Sequence, residues 1–145
     1  MAMTTYAANC HCGRIQFTAT LPDILATPVV RCNCSICTKN GYLLAYARTE
    51  DVRFVVGGGR MGKYCFGRKR KPHKFCVLCG TSVLVDNISS DAEGHGEGGQ
   101  GGWVAVNVRT FDVFGDVVDR LTIRDVDGKN LLQPQYSVPR VLQSE

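Results

Sequence analysis

Apolar residues recur at every second position along much of this 145-residue chain. That period puts successive side chains on opposite faces of an extended backbone, and so predicts strands. Seven segments carry it: residues 14–20, 42–47, 52–56, 64–66, 81–85, 103–108 and 120–123. No stretch keeps a 3.6-residue stripe through three turns. Residues 110–118 have room for one short helix and residues 35–40 for a single turn. The predicted class is mainly β.

Punctuation agrees with this division. Gly57, Gly58 and Gly59 should separate two strands, and residues 67–72 another pair. Six glycines fall within residues 87–102, too few apolar groups to pack, which predicts a flexible insertion. Nothing else reads as a linker, so residues 1–145 are expected to form one domain. No apolar run approaches the ~20 residues that span a bilayer, so no membrane partner is expected. The first nine residues lack a basic n-region and an apolar h-region, so no secretory signal is expected either. The expected compartment is reducing, the cytoplasm first and the nucleus second.

Net charge is +4, but its distribution changes the picture. Arg60, Lys63, Arg68, Lys69, Arg70, Lys71 and Lys74 put seven positive charges into fifteen residues with no acid among them. Outside that stretch ten basic residues face thirteen acidic ones. With a single basic patch on a nearly neutral body, nucleic acid is not an obvious partner, although the patch alone could contact phosphates, and a small anionic ligand fits at least as well.

The chemistry lies in the cysteines. Seven of eight fall into three clusters: Cys10-His11-Cys12, Cys32-Asn33-Cys34-Ser35-Ile36-Cys37 and Cys76-Val77-Leu78-Cys79. C-x-C and C-x2-C spacings gather thiols around a point, which suits a metal better than a disulfide. Cys10, Cys12, Cys76 and Cys79 make two pairs, the pattern of a closed four-thiolate structural zinc. Gly13 and Gly80 follow the two knuckles, where the backbone must turn. Cys32, Cys34 and Cys37 supply three thiolates and leave a position for water, a substrate thiolate or another protein group. Cys65 is the candidate to close that position, with a buried filler thiol as its plainer role. An open three-thiolate zinc is a mild Lewis acid suited to another soft sulfur, and so to making or breaking a C–S bond. Of the three histidines, His11, His73 and His95, the best placed for a site role is His73, three residues before Cys76.

Cys10-His-Cys-Gly13, Cys32-Asn-Cys-Ser-Ile-Cys37 and Phe75-Cys-Val-Leu-Cys-Gly-Thr81 resemble the signatures of the glutathione-dependent formaldehyde-activating enzymes, whose domain is shared with centromere protein V. The likeness runs from about residue 6 to 86 and resumes at 105–109. It implies a β-tent of packed antiparallel sheets with two Zn²⁺ per chain. Cys10, Cys12, Cys76 and Cys79 would hold the structural ion, and Cys32, Cys34 and Cys37 the ion linked to activity. The implied reaction adds the glutathione thiol to formaldehyde, giving S-hydroxymethylglutathione, in the carbon–sulfur lyase class. Glutathione or another small thiol is the expected partner, with Arg68, Lys69, Arg70 and His73 as expected substrate contacts. The glycine-rich insertion and Cys65 stand outside the family's signature. Two other readings stay open. One is a non-catalytic, zinc-stabilised binding module that uses the basic surface at 60–74. The other is a thiol sensor that releases zinc from Cys32, Cys34 and Cys37 on oxidation.

Overall fold

The computed structural model of the chain describes residues 2–67, 70–88 and 102–139. Among the described residues ten strands form two sheets. The smaller contains β1 (Met3–Asn9), β2 (Gln16–Pro22) and β5 (Val52–Val56) in the order β1-β2-β5. The larger contains β3 (Val29–Cys32), β4 (Leu44–Arg48), β6 (Gly62–Tyr64), β7 (His73–Phe75), β8 (Ser82–Ile88), β9 (Trp103–Asn107) and β10 (Ile123–Val126). Its order is β10-β3-β4-β9-β8-β7-β6. Pairing is antiparallel except between β10 and β3, which run parallel. The sheets are therefore mixed, which corrects the expectation of antiparallel sheets alone. Three short helices complete the described fold: α1 (Ser35–Asn40), α2 (Phe114–Val117) and α3 (Gly128–Leu131).

Alternation explains where the core sits. In β2, Phe17, Ala19 and Leu21 point inward and are buried. In the larger sheet Ala45 lies opposite Val106 and Ala47 opposite Val104, and all four pack against the smaller sheet in the main core. Side chains such as Phe17 and Val106 are almost wholly buried, each worth about 2 kcal/mol relative to exposure. The intervening positions face the other way. Tyr46 lies opposite Ala105 and Arg48 opposite Trp103. Tyr46, Ala105 and Trp103 join Val30, Leu44, Val85, Ile88 and Tyr42 in a second apolar cluster, which also takes in Cys32, Cys34 and Cys37. One sheet thus carries structure on one face and the three-cysteine cluster on the other.

Several predicted elements shift. The strand expected at 64–66 forms at Gly62–Tyr64, and the one expected at 120–123 begins only at Ile123, because Val118–Arg120 winds into a 3-10 turn. The helix expected over 110–118 breaks into 3-10 turns at Val108–Thr110 and Val118–Arg120 with α2 between them. The single turn at 35–40 is α1. Gly57 does mark the turn between β5 and β6: its φ is 83°, and an added Cβ would strike the Arg14 carbonyl. Most of the insertion at 87–102 lies outside the described residues, as do Arg68 and Lys69.

Candidate functional site

The two knuckles of the four-cysteine group are hairpin turns. Cys10 and Cys12 lie in the turn from β1 to β2; Cys76 and Cys79 lie in the turn from β7 to β8. Each turn closes by the same kind of backbone bond, Cys10 N to Ile15 O and Cys76 N to Thr81 O, both 3.0 Å. Gly13 (φ 78°) and Gly80 (φ 79°) take the left-handed conformation that these turns require. The hairpins belong to different sheets, so this group stands where the two sheets meet.

All four sulfurs lie within 4.8 Å of one another, with Cys10–Cys12 at 3.6 Å and Cys12–Cys76 at 3.7 Å. A tetrahedron with metal–sulfur bonds of about 2.3 Å has edges of roughly 3.8 Å, so the donor set fits a metal ion. Backbone amides already point at the sulfurs, from Ile15 to Cys10 (3.3 Å) and from Cys79 to Cys76 (3.5 Å). The Thr81 hydroxyl lies 3.3 Å from the Cys79 sulfur and accepts the His11 amide at 3.1 Å. That hydroxyl, with a backbone hydrogen bond beside it, lowers the Cys79 thiol to about 5. One threonine therefore ties both knuckles together and favours a thiolate ligand.

Cys32 ends β3, Cys34 caps the start of α1 and Cys37 lies within the helix. Their sulfurs also lie within 4.8 Å of one another. Gly41 stops the helix in a left-handed conformation (φ 65°), its amide bonding the Cys37 carbonyl. Arg109 secures this cap by donating from Nε to the Gly41 carbonyl at 2.9 Å. Three thiols this close cannot all ionise without a cation. Hydrogen bonds from Cys34 and then Cys37 hold the Cys32 thiol far below its ordinary range. The bond to Cys32, with burial behind it, pushes the Cys34 and Cys37 thiols up, although at Cys34 the bond with Cys37 acts the other way. A soft cation would relieve that competition, so this set fits a metal as well. Cys65, half-buried after β6, is not among the sulfurs gathered here.

The expected substrate contacts are less concentrated. Arg70 is exposed, and its carbonyl accepts the Asn87 side chain. His73 is 7% exposed, with Nδ1 3.1 Å from the Tyr42 hydroxyl. Tyr42 lies in the second apolar cluster with Cys37, and sequence reasoning missed it because it read only as a strand residue. Its burial and the neighbouring Cys37 and Cys34 raise its pKa, burial first.

Burial lowers His73 to about 4, with Lys71 adding to the effect. Above pH 6.5 the folded and unfolded states both keep this histidine neutral. Below it, the unfolded state takes up a proton that the folded state refuses. Stability should therefore be complete above pH 6.5 and fall as pH drops towards 4, by about 3 kcal/mol in total. Urea unfolding between pH 7 and 4.5 tests this: His73→Gln should flatten the decline that the parent shows.

Comparison with known proteins agrees with this geometry. The description "glutathione-dependent formaldehyde-activating enzyme" matches residues 5–112. A Rhodobacter sphaeroides protein of known crystal structure is similar, with a TM-score of 0.64 and 27% identity. The similarity covers 81% of this chain and 99% of that one. None of the curated proteins matches the chain. With both cysteine groups inside the matched span, the chain belongs to the glutathione-dependent formaldehyde-activating enzyme family.

Proposed function

We propose that the chain is a carbon–sulfur lyase whose reactive centre is a zinc ion held by Cys32, Cys34 and Cys37, acting on glutathione or a related thiol. One observation carries this reading. Three sulfurs converge at one site while Cys65 stays apart, whereas four converge at the other. A closed group suits structure; an incomplete one suits a substrate ligand. The bound ion would supply thiolate stabilisation and Lewis acidity at neutral pH.

The reaction balances simply. The thiol sulfur bonds to the formaldehyde carbon, the carbonyl π pair moves to oxygen, and the thiol proton ends on that oxygen as S-hydroxymethylglutathione forms. Cys32, Cys34 and Cys37 orient the reacting sulfur. The apolar face of Leu44, Tyr46 and Trp103 limits water beside them. Arg68, Lys69 and Arg70 meet the glutathione carboxylates, and His73 orders Tyr42 behind the site. A cytoplasmic location suits this thiol chemistry.

Formaldehyde adds to thiols unaided, so the test is a comparison of rates. Two-dimensional exchange NMR of glutathione and formaldehyde should show exchange at least about tenfold faster with protein than without, the scale of one well-placed catalytic interaction. Equal rates would remove this function. They would favour the second reading, a zinc-stabilised binding module. Exposed Arg60, Lys63 and Arg70, near the edge hairpin of β6 and β7, support that alternative.

A further inference from the structure

The family match ends at residue 112, yet the chain continues through β10 and α3 back to the three-cysteine centre. Parallel pairing sets Val126 beside Cys32, and the Asn33 amide donates to the Val126 carbonyl at 3.1 Å. Side chains then lock the crossing. Asn33 Nδ2 donates to Asp127 Oδ1 at 2.9 Å, and the Lys129 amide donates to Asn33 Oδ1 at 2.8 Å. Asn130 donates to the same carboxylate through its backbone and its side chain.

Between these locks sits Gly128. A Cβ there would lie 2.5 Å from the Cys32 sulfur and 3.0 Å from the Cys34 Cβ. Neither neighbour is the free end of a flexible chain, since both cysteines are fixed by β3 and α1. The position therefore admits no side chain, although its φ is not left-handed and the turn itself does not demand glycine. The Gly128 amide also donates to the Cys32 sulfur. Contact with the sulfur explains the glycine.

We propose that residues 123–131 form a strap that positions the Cys32 sulfur and covers one side of it, with Gly128 as the contact and Asn33–Asp127 as the latch. The proposal rests on the three-cysteine group being the reactive centre and adds a part that lies outside the family-matched span. Covering one flank leaves a fourth ligand to approach from the side away from Gly128. It also shields that flank of Cys32 from electrophiles. Gly128, Asp127 and Asn33 are positioning residues here.

The test is native iodoacetamide labelling followed by peptide mapping, which reads each cysteine separately. Asp127→Ala opens the latch and should raise the Cys32 labelling rate roughly tenfold, in line with losing charge-assisted hydrogen bonds. Cys76 and Cys79 should label at the parent rate, which reports that the rest of the fold is intact. The conservative variant Asp127→Asn keeps an oxygen that accepts from Asn33 Nδ2 and from the Asn130 amide and should label Cys32 close to the parent rate. An unchanged Cys32 rate in Asp127→Ala, or an equal rise in Asp127→Asn, would overturn the strap. Native mass spectrometry of the same samples separates this from the function. A parent protein with no second metal would refute the proposed lyase centre, while the labelling comparison would still decide the strap.

Discussion

Replacing Cys76 by serine is expected to leave the chain largely unfolded. Cys76 is 2% exposed, sits in the main core and lies 3.7 Å from the Cys12 sulfur of the other sheet's hairpin. Structural zinc bound by thiolates contributes on the order of 10 kcal/mol to small domains. A domain of this size is stable by only about 5–15 kcal/mol in all. Serine removes one ligand of four and buries a hydroxyl in place of a thiol. Circular dichroism and amide NMR dispersion should both report loss of structure, with neither metal retained. A folded variant that still held two metals would show that the four-cysteine group is not what joins the sheets.

Cys34→Ser should behave in the opposite way: fold kept, chemistry lost. Cys34 is half-buried and caps α1 without using its side chain as a cap. Serine is itself a favourable cap, so the helix should survive. The centre would keep two of three sulfurs, and metal sites lose 10–100-fold in affinity or activity even when only a supporting group is removed. We expect one metal per chain instead of two and a loss of the whole enhancement, about tenfold or more, down to the unaided rate. Native mass spectrometry and exchange NMR measure both. Catalysis that persisted at the parent rate would move the reaction away from this centre.

The contrast between these variants follows from what the sequence made visible. Close cysteine spacing is a local property, so both groups could be read from the chain, and the distances between sulfurs bear the grouping out. Long alternating strands were equally legible: Phe17, Ala19 and Leu21 announce β2 by themselves. Other strands were not. In β1 the inward positions are Tyr6 and Ala8, a weak signal beside the polar Thr4 and Thr5. In β3 Val29 and Val30 are both buried, which gives a run and not an alternation. β7 is three residues, His73-Lys74-Phe75, and gains its place from pairing on both sides. Tertiary contact also decided the site's surroundings. No local pattern in Gly128 or Asp127 points to Cys32 nearly a hundred positions earlier. Nor does Tyr42 point to His73.

The chain contains a single tryptophan, and the fold puts it on the three-cysteine face. Trp103 pairs with Ile88 across β8 and β9, takes the Arg48 guanidinium over its ring at 5.1 Å and packs in the cluster that includes Cys37. Intrinsic fluorescence excited at the indole band therefore comes from one place in the molecule. It needs no label and no correction for a second emitter. Titrations with cobalt, a quenching ion, or with a thiol ligand can be followed as changes in brightness and colour on that face, while events at the far hairpins stay comparatively dark.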